Sequence, residues 1–494
     1  MSPLIIQLII IIISSLLIPP QPTTADQSFI SILITQNGLD FVKNLLITKA
    51  VSAFTPTQLT NIGKVIRIPV IGNVNVVLSD IIIYRVNVGL SQVMPSVHGV
   101  TIGGSDITCD LSMKWHYYYA SPFVPVSISD TGTAFVKVEG MEMGVTLGLD
   151  IRGGSLNLSN LECNCHIDDI SIDLDGGKSW FYQGFLDAFK DAIMSTAAKT
   201  ITERLNAEIS KLASVLQSFP KLILVDNLAA INVTLVNSPF LSDRSLGFEI
   251  NGLFVANKTN THAYGNSVNV LDGLQPPVHC SSPSKMIGMT LDVAVFKSAF
   301  ALYYNAMFKH WIVDKLPERS LLNTTGWRFI IPQLYKKYPN DNMTLNLSLT
   351  DPPVVQITQQ KVDATVYADL VLDVLEGVDT IPVACISLVI SGTGSVQITG
   401  NNLAAHLKMD DLTMSSKWSK IGTLHMFLIQ PVMWTLIETV FLPYVNARIG
   451  TGFPLPLTNG FMLQNAEIIT SSSGITVCSD VTYDDSFDGT QIYT

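Results

Sequence analysis

Residues 185–219 read FLDAFKDAIMSTAAKTITERLNAEISKLASVLQSF, and the spacing within this stretch sets the architecture to look for. Phe185, Phe189, Ile193, Ala197, Ile201, Leu205, Ile209, Leu212 and Leu216 recur every three or four residues, which stacks them as one apolar stripe along a helix. Lys190, Lys199, Arg204, Glu208 and Lys211 fall between the stripe positions and face water. No Gly or Pro interrupts the run until Pro220 ends it. A helix of about 35 residues is about 50 Å long. A second stretch of this kind, Lys420 to Ile449, carries Met426, Ile429, Met433, Leu436, Val440 and Phe441 as its stripe.

Each long helix follows a strand-rich region. Ser28 to Thr35 alternates as a strand and leads through Gln36-Asn37-Gly38 into a helix over Leu39–Phe54, with Leu39, Val42, Leu46 and Phe54 inward. From Lys64 to Asp175 the signal is β. Val74, Val76 and Leu78 alternate with polar neighbours, and Gly and Pro punctuate the region as turns of an antiparallel meander. The second half repeats the order, with strands over 246–256, a helix over 292–316, strands over 343–399, the helix from Lys420 and closing strands over Phe461–Tyr483. Helix, sheet and long helix thus occur twice without a residue-level repeat. Ser238-Pro239 marks the boundary, giving units over 26–236 and 245–494 joined by 237–244.

Of 494 residues, 14% are charged and 47% hydrophobic, an apolar balance against the usual quarter or so of charged residues. Leu4 to Leu17 is a hydrophobic run, followed by Pro19-Pro20 and Thr23-Thr24-Ala25, and reads as a secretory leader over residues 1–25. Beyond it no uninterrupted apolar run reaches the roughly 18 residues of a spanning helix. Leu424 to Val445 comes closest, but Gln430, Pro431, Glu438 and Pro443 mark it as a core helix. A secreted, soluble chain is expected. Asn157, Asn232, Asn257, Asn323, Asn342 and Asn346 head Asn-X-Ser/Thr acceptor patterns that fit this route. The six cysteines suit one to three bridges. Cys163-Asn164-Cys165 has no partner pair at metal-ligand spacing, so no metal site is expected.

A net charge of −11 argues against affinity for nucleic acid, and an anionic partner requires a local basic cluster. The chain lacks a Gly-X-Ser-X-Gly elbow, a His-Glu-X-X-His pair, a phosphate-binding Gly-Lys-Ser/Thr loop and a dinucleotide fingerprint, and its eight histidines are scattered. Nothing supports catalysis. The acidic cluster Asp168, Asp169, Asp173 and Asp175 reads as a solvated turn. A twisted sheet around a long helix need not match its curvature everywhere, and a gap lined by Leu, Ile, Val and Phe stays dry or takes an apolar ligand. Burial stabilises by roughly 0.8 kcal/mol per CH₂, so two acyl chains contribute upwards of about 10 kcal/mol of gross driving force. By pattern alone, plain core packing is the favoured reading of both stripes.

Ile34-Thr35-Gln36-Asn37-Gly38-Leu39-Asp40-Phe41 resembles the opening strand-to-helix motif of the bactericidal/permeability-increasing and lipopolysaccharide-binding protein family. Leu442-Pro443-Tyr444-Val445-Asn446 and Gly452-Phe453-Pro454-Leu455-Pro456 resemble its closing signature. Lys336-Lys337-Tyr338-Pro339 and Asp351-Pro352-Pro353 are similar to segments of its second domain, and the low charge and acceptor patterns resemble its plant branch. The resemblance implies an α+β fold, an elongated boomerang of two barrels. Each barrel would be a twisted antiparallel sheet around long helices, the two joined by a central sheet. It also implies apolar pockets for phospholipid acyl chains, with Leu39, Val42, Leu46, Phe185, Phe189 and Ile193 as walls of the first. No other cofactor is implied.

Lipopolysaccharide-binding members of the family present a basic loop at the tip of the first barrel. The matching segment here is Met113-Lys114-Trp115-His116-Tyr117-Tyr118-Tyr119, in which His and Tyr replace the later basic residues. Lys64 and Arg67 would add charge at that tip. On this reading Lys114, Trp115, Tyr117, Tyr118 and Tyr119 meet lipid phosphate and the headgroup boundary, and Lys114 and Trp115 can be removed without unfolding the barrel. The alternative for the Tyr run is a packing cluster in the sheet. The family's bridge ties a strand cysteine, matched by Cys163 or Cys165, to a cysteine in the long helix, but Phe185–Phe219 has none. A pairing with Cys109 is one substitute among several. The implied function is recognition of lipopolysaccharide, phospholipid and the bacterial outer-membrane surface in innate defence, through an unidentified receptor. The alternative is lipid transfer without an immune role.

Overall fold

The computed structural model of the chain describes residues 27–68, 72–120, 127–175, 183–257, 278, 280, 282–306, 311–313, 319–359, 361–457 and 460–484. The leader expected over residues 1–25 and the Gln275-Pro276-Pro277 loop lie outside them. The fold is α+β, built from long antiparallel strands and few helices, and divides into two compact units. One comprises Ile34–Phe219 with Ser238–Gly247; the other holds the first strand as far as Leu33, Pro220–Asn237 and everything from Phe248 onward.

Strand β1 (Ile30–Thr35) runs directly into helix α1 (Gln36–Phe54), whose first turn is capped by the Thr35 hydroxyl accepting from the Gly38 amide. There follow β2 (Thr57–Gln58), β3 (Ile62–Ile68), β4 (Gly72–Asn87), β5 (Leu90–Ser96), β6 (Gly99–Ala120), β7 (Ser127–Arg152), β8 (Ser155–His166) and β9 (Asp169–Asp175). They form one eight-stranded sheet with the path β2-β4-β6-β7-β8, on which β3 pairs β4, β5 pairs β6 and β9 pairs β7. Strands of 22 and 26 residues cannot stay flat. Bulges bend them, and Asp80 and Asp106, at φ near 50°, sit at two of the register shifts. Helix α2 (Gln183–Ser218), 36 residues long, packs on β3 at one edge of the sheet and on β8 and β9 at the other. The sheet therefore rolls around the helix, and the helix closes the gap between its edges. Phe189, Ile193, Ala197 and Ile201 of α2 are buried with Val74, Val76, Leu78, Leu111, Met113, Trp115, Val136 and Val138 in one core.

The chain continues with β10 (Leu222–Leu224), β11 (Ala229–Asn232), β12 (Phe240–Ser242), β13 (Ser245–Ile250), β14 (Phe254–Ala256) and β15 (Ile287–Asp292), of which β12 and the start of β13 belong to the first unit and the rest to the second. Helix α3 spans Val293–Ala306, shorter than the expected 292–316, because the chain is again a strand at β16 (Trp311–Val313). After helix α4 (Pro332–Lys337) come β17 (Asn342–Leu349), β18 (Val354–Ile357), β19 (Val362–Glu376), β20 (Asp379–Thr399) and β21 (Asn402–Ser419). The chain ends in β22 (Phe453–Pro454), β23 (Phe461–Ser471) and β24 (Gly474–Tyr483). A seven-stranded sheet follows β16-β17-β19-β20-β21-β22, with β18 on β19, and a six-stranded sheet runs β12-β13-β1-β15-β24-β23.

The single helix expected from Lys420 begins later and is interrupted. It comprises α5 (Met426–Leu436), a π turn over Ile437–Phe441 and α6 (Leu442–Ile449). Pro443 has no amide to donate back to Thr439, and the turn ahead of it widens. Although long and apolar enough to cross a membrane, the stretch buries Ile429, Met433, Leu436, Ile437 and Phe441 as one face in the core of the seven-stranded sheet.

The one disulfide among the described residues joins Cys280 to Cys478 of β24, across 198 residues of sequence. Cys109, Cys163, Cys165 and Cys385 are free thiols, so the strand-to-helix bridge is absent and Cys109 is no substitute for it. A crosslink over so long a loop removes much chain entropy from the unfolded state. Cys280→Ser is expected to cost about 2–5 kcal/mol in denaturant unfolding, with little change in far-ultraviolet circular dichroism.

Candidate functional site

The inner face of the rolled sheet is set by strand alternation. In β4, Val74, Val76 and Leu78 are buried while Asn73, Asn75 and Val77 are exposed. In β6, Leu111, Met113 and Trp115 are buried and Tyr117 and Tyr119 pack against the same core, whereas Lys114, His116 and Tyr118 point outward. Register carries this across the sheet: Lys64 pairs with Val76, which pairs with Tyr117, while Val65 pairs with Asn75 and Asn75 with Tyr118. The residues expected to share one tip do lie on adjacent strands, but they divide between two faces. Lys64, Trp115, Tyr117 and Tyr119 belong to the inner face and Arg67, Lys114 and Tyr118 to the outer.

Their partners follow from the faces. Trp115 is 4% exposed and its indole Nε1 donates to the Thr133 carbonyl at 3.1 Å. The ring of Trp115 lies parallel to that of Tyr117 with centroids 6.2 Å apart. Opposite it stands Gly132, where a Cβ would come within 2.4 Å of the indole, so only glycine leaves room. Lys64, at the edge strand, reaches α2 and donates to the Ala188 carbonyl at 2.6 Å. Lys114 pairs on the outside with Asp80 at 3.0 Å. Tyr119 lies against Gly72 at the turn between β3 and β4.

Between α2 and the sheet is an apolar cavity of about 40 Å³. Val76 and Leu78 of β4, Met113, Trp115 and Tyr117 of β6, Ala134 of β7, Ile172 and Leu174 of β9, and Phe189 and Ile193 of α2 line it. Two of the expected pocket residues are therefore walls. Leu39 is buried and Val42 and Leu46 half-buried on α1, and none of the three lines this cavity. The Phe185 side chain lies outside the described residues. Trp115 and Tyr117, expected at a lipid-facing tip, line this cavity instead, as the period-two run Leu111, Met113, Trp115, Tyr117 signals. Trp115 is buried in the core, so its removal is expected to destabilise the barrel.

Three thiols lie on this same side of the sheet. Burial, then the neighbouring Asp110 carboxylate, pushes Cys109 up to about 12, and burial pushes Cys165 to about 11 and raises Cys163 as well. They stay protonated and unreactive at neutral pH. Among the glycosylation candidates, Asn157 is 8% exposed and accepts from Gln217 of α2 at 2.5 Å, which covers its amide. Asn232 accepts from its own motif's Thr234 amide, and Asn323 caps a turn through the Thr325 amide. Asn342 is exposed, while Asn257 and Asn346 are half-buried. Among the described residues no group of His, Cys, Asp and Glu could hold a metal ion.

The first unit is thus a sheet rolled around a long helix with a small apolar cavity along the contact. The N-terminal domain model of the LBP / BPI / CETP family matches residues 38–212 and the C-terminal domain model matches residues 223–483. The chain belongs to this family. It is 52% identical over 470 residues to a protein of Arabidopsis thaliana described as a BPI/LBP family protein, covering 94% of this chain and 95% of that one, so the plant branch fits. A bactericidal permeability-increasing protein of Rattus norvegicus is 24% identical over 403 residues, covering 79% of this chain and 80% of that one. A crystal structure of lipopolysaccharide binding protein shares the fold at TM-score 0.62 and 19% identity, covering 92% of this chain and 99% of that one.

The two faces of β6 give a direct contrast. Trp115→Ala is expected to cost about 3–5 kcal/mol in chemical unfolding, since it empties a close-packed site. Lys114→Ala, which removes only an exposed ion pair, is expected to stay within about 1 kcal/mol of the parent. Alkylation should follow exposure, with Cys109 the last of the three interior thiols to react at pH 8.

Proposed function

We propose that the chain is a secreted lipid-binding protein that takes acyl chains between α2 and the inner face of its eight-stranded sheet. In this role it recognises bacterial lipid A and phospholipid in innate defence, with no chemical step of its own. The observation that carries this reading is the cavity between Phe189, Ile193 and the β4–β6 wall. Its lining offers nothing to a polar ligand except the Trp115 and Tyr117 ring substituents, the first of them already bonded to Thr133. At about 40 Å³ the space is well under the roughly 150 Å³ that accepts benzene, so an acyl chain enters only by parting α2 from the sheet. Secretion, glycosylation at the exposed Asn342 and contact with the bacterial outer-membrane surface belong to the same reading.

One observation favours the second reading, an extracellular phospholipid or neutral-lipid carrier without an immune role. Of the basic residues expected at the tip, Lys114 is held by Asp80 and Lys64 by α2, which leaves Arg67. The purified protein should be titrated with lipopolysaccharide, lipid A and phosphatidylcholine vesicles at rising salt. Saturable, salt-sensitive preference for lipid A supports recognition; extraction of phosphatidylcholine alone supports the carrier. In either case Ala134→Leu, whose three added carbons point into the cavity, is expected to lower lipid retention by about tenfold while costing about 1–3 kcal/mol of stability. Undiminished retention in the folded variant would remove the cavity from the mechanism.

A further inference from the structure

The second unit carries a surface that the cavity does not use. Arg328, Lys336, Lys337 and Lys420 are all exposed, and none of them forms an ion pair among the described residues. Lys337 Nζ donates to the Lys420 carbonyl at 3.3 Å, and Gln333 lies 3.8 Å from where a side chain on Gly422 would begin. These contacts make α4 and the turn after β21 one continuous surface. No acidic residue occurs between Glu318 and Asp341, nor between Asp411 and Glu438, in a chain whose net charge is −11. The positive charge is therefore local and set against the overall field.

Aromatic side chains stand among these charges. Phe329 is 78% and Phe427 70% exposed, although their neighbours Trp327, Ile331, Leu424 and Ile429 are buried in the core. Both phenyl rings are thus presented by anchored backbone. The Arg328 guanidinium lies over the Phe329 ring at 4.4 Å, Lys420 stands 5.5 Å from the half-exposed Trp418 ring, and His425 is 5.9 Å from Phe427. Projecting rings beside unpaired cations suit a soft anionic boundary, where the rings enter the headgroup layer and the cations meet phosphates. An acidic protein would satisfy the charges, but solitary projecting phenyl rings need a matching pocket on a rigid partner and none on a bilayer.

We propose that this α4/β21 surface docks the protein on an anionic lipid surface. The assignment does not rest on the cavity reading, since none of these side chains lines the cavity. The test is sedimentation of the full secreted chain with vesicles of phosphatidylcholine alone or with about one third phosphatidylglycerol, both free of lipopolysaccharide. Each basic residue near such a surface is worth about fivefold in partitioning. Lys337→Glu with Lys420→Glu is therefore expected to lower binding to the anionic vesicles at least about twentyfold. Lys337→Arg with Lys420→Arg should retain it. Phe329→Ser with Phe427→Ser should lose the part of the binding that survives high salt. Circular dichroism and thermal melting confirm folding, which substitutions at exposed positions should leave intact. A folded charge-reversed protein that partitions like the parent would overturn the proposal. Equal partitioning of the parent onto neutral vesicles, or binding to acidic protein in place of the anionic vesicles, would do the same.

Discussion

Everything in the first unit depends on the packing of α2 against the inner face of the long-stranded sheet. Among the described residues the sheet's edges are not hydrogen-bonded to each other along its path, so a helix must cover the open seam or leave apolar side chains wet. Helix α2 does so with a stripe of Phe189, Ile193, Ala197 and Ile201, and it touches β3 on one side and β8 and β9 on the other. Lys64 adds a directional tie from the edge strand to the Ala188 carbonyl. Without the helix the strands would expose the whole buried face of β4, β6 and β7.

That dependence explains what the amino-acid pattern revealed. The three-to-four-residue spacing in α2 makes the 36-residue helix legible, whereas Phe189 and Ile193 as pocket walls come from the family resemblance. The π turn before Pro443 had its cause in plain view, but how the backbone absorbs the missing amide depends on what the helix packs against. The Cys280–Cys478 pairing was beyond reach because partners 198 residues apart are brought together only by β15 and β24 lying side by side.

In β6 the resemblance and the strand geometry pull apart. The resemblance groups Lys114, Trp115 and the three tyrosines as one tip loop, with a packing cluster as the alternative for the tyrosines. In a strand, contiguity divides a group, since successive side chains leave on opposite faces. The alternation of Leu111, Met113, Trp115 and Tyr117 is legible in the sequence and points to an inner face, where the family resemblance points to a headgroup. Gly132 settles the matter sterically, because the indole fills the place of its missing side chain.

On the proposed lipid-binding reading, the smallness of the cavity becomes part of the mechanism. Side-chain packing, with a few polar ties such as Lys190 to Asp169 and Asn160 to Asn206, holds α2 to the sheet, because helix and strands have each satisfied their backbone hydrogen bonds internally. Separating them forfeits dispersion contacts and exposes apolar surface, and both losses are refunded in kind if a methylene chain enters as the gap opens. The exchange of side-chain contacts for acyl-chain contacts is close to neutral per unit area, whereas opening the same gap to water is not. On that reading a narrow apolar seam of this kind disfavours water and polar solutes without a gate, and would part for a ligand that replaces, carbon for carbon, the surface it displaces.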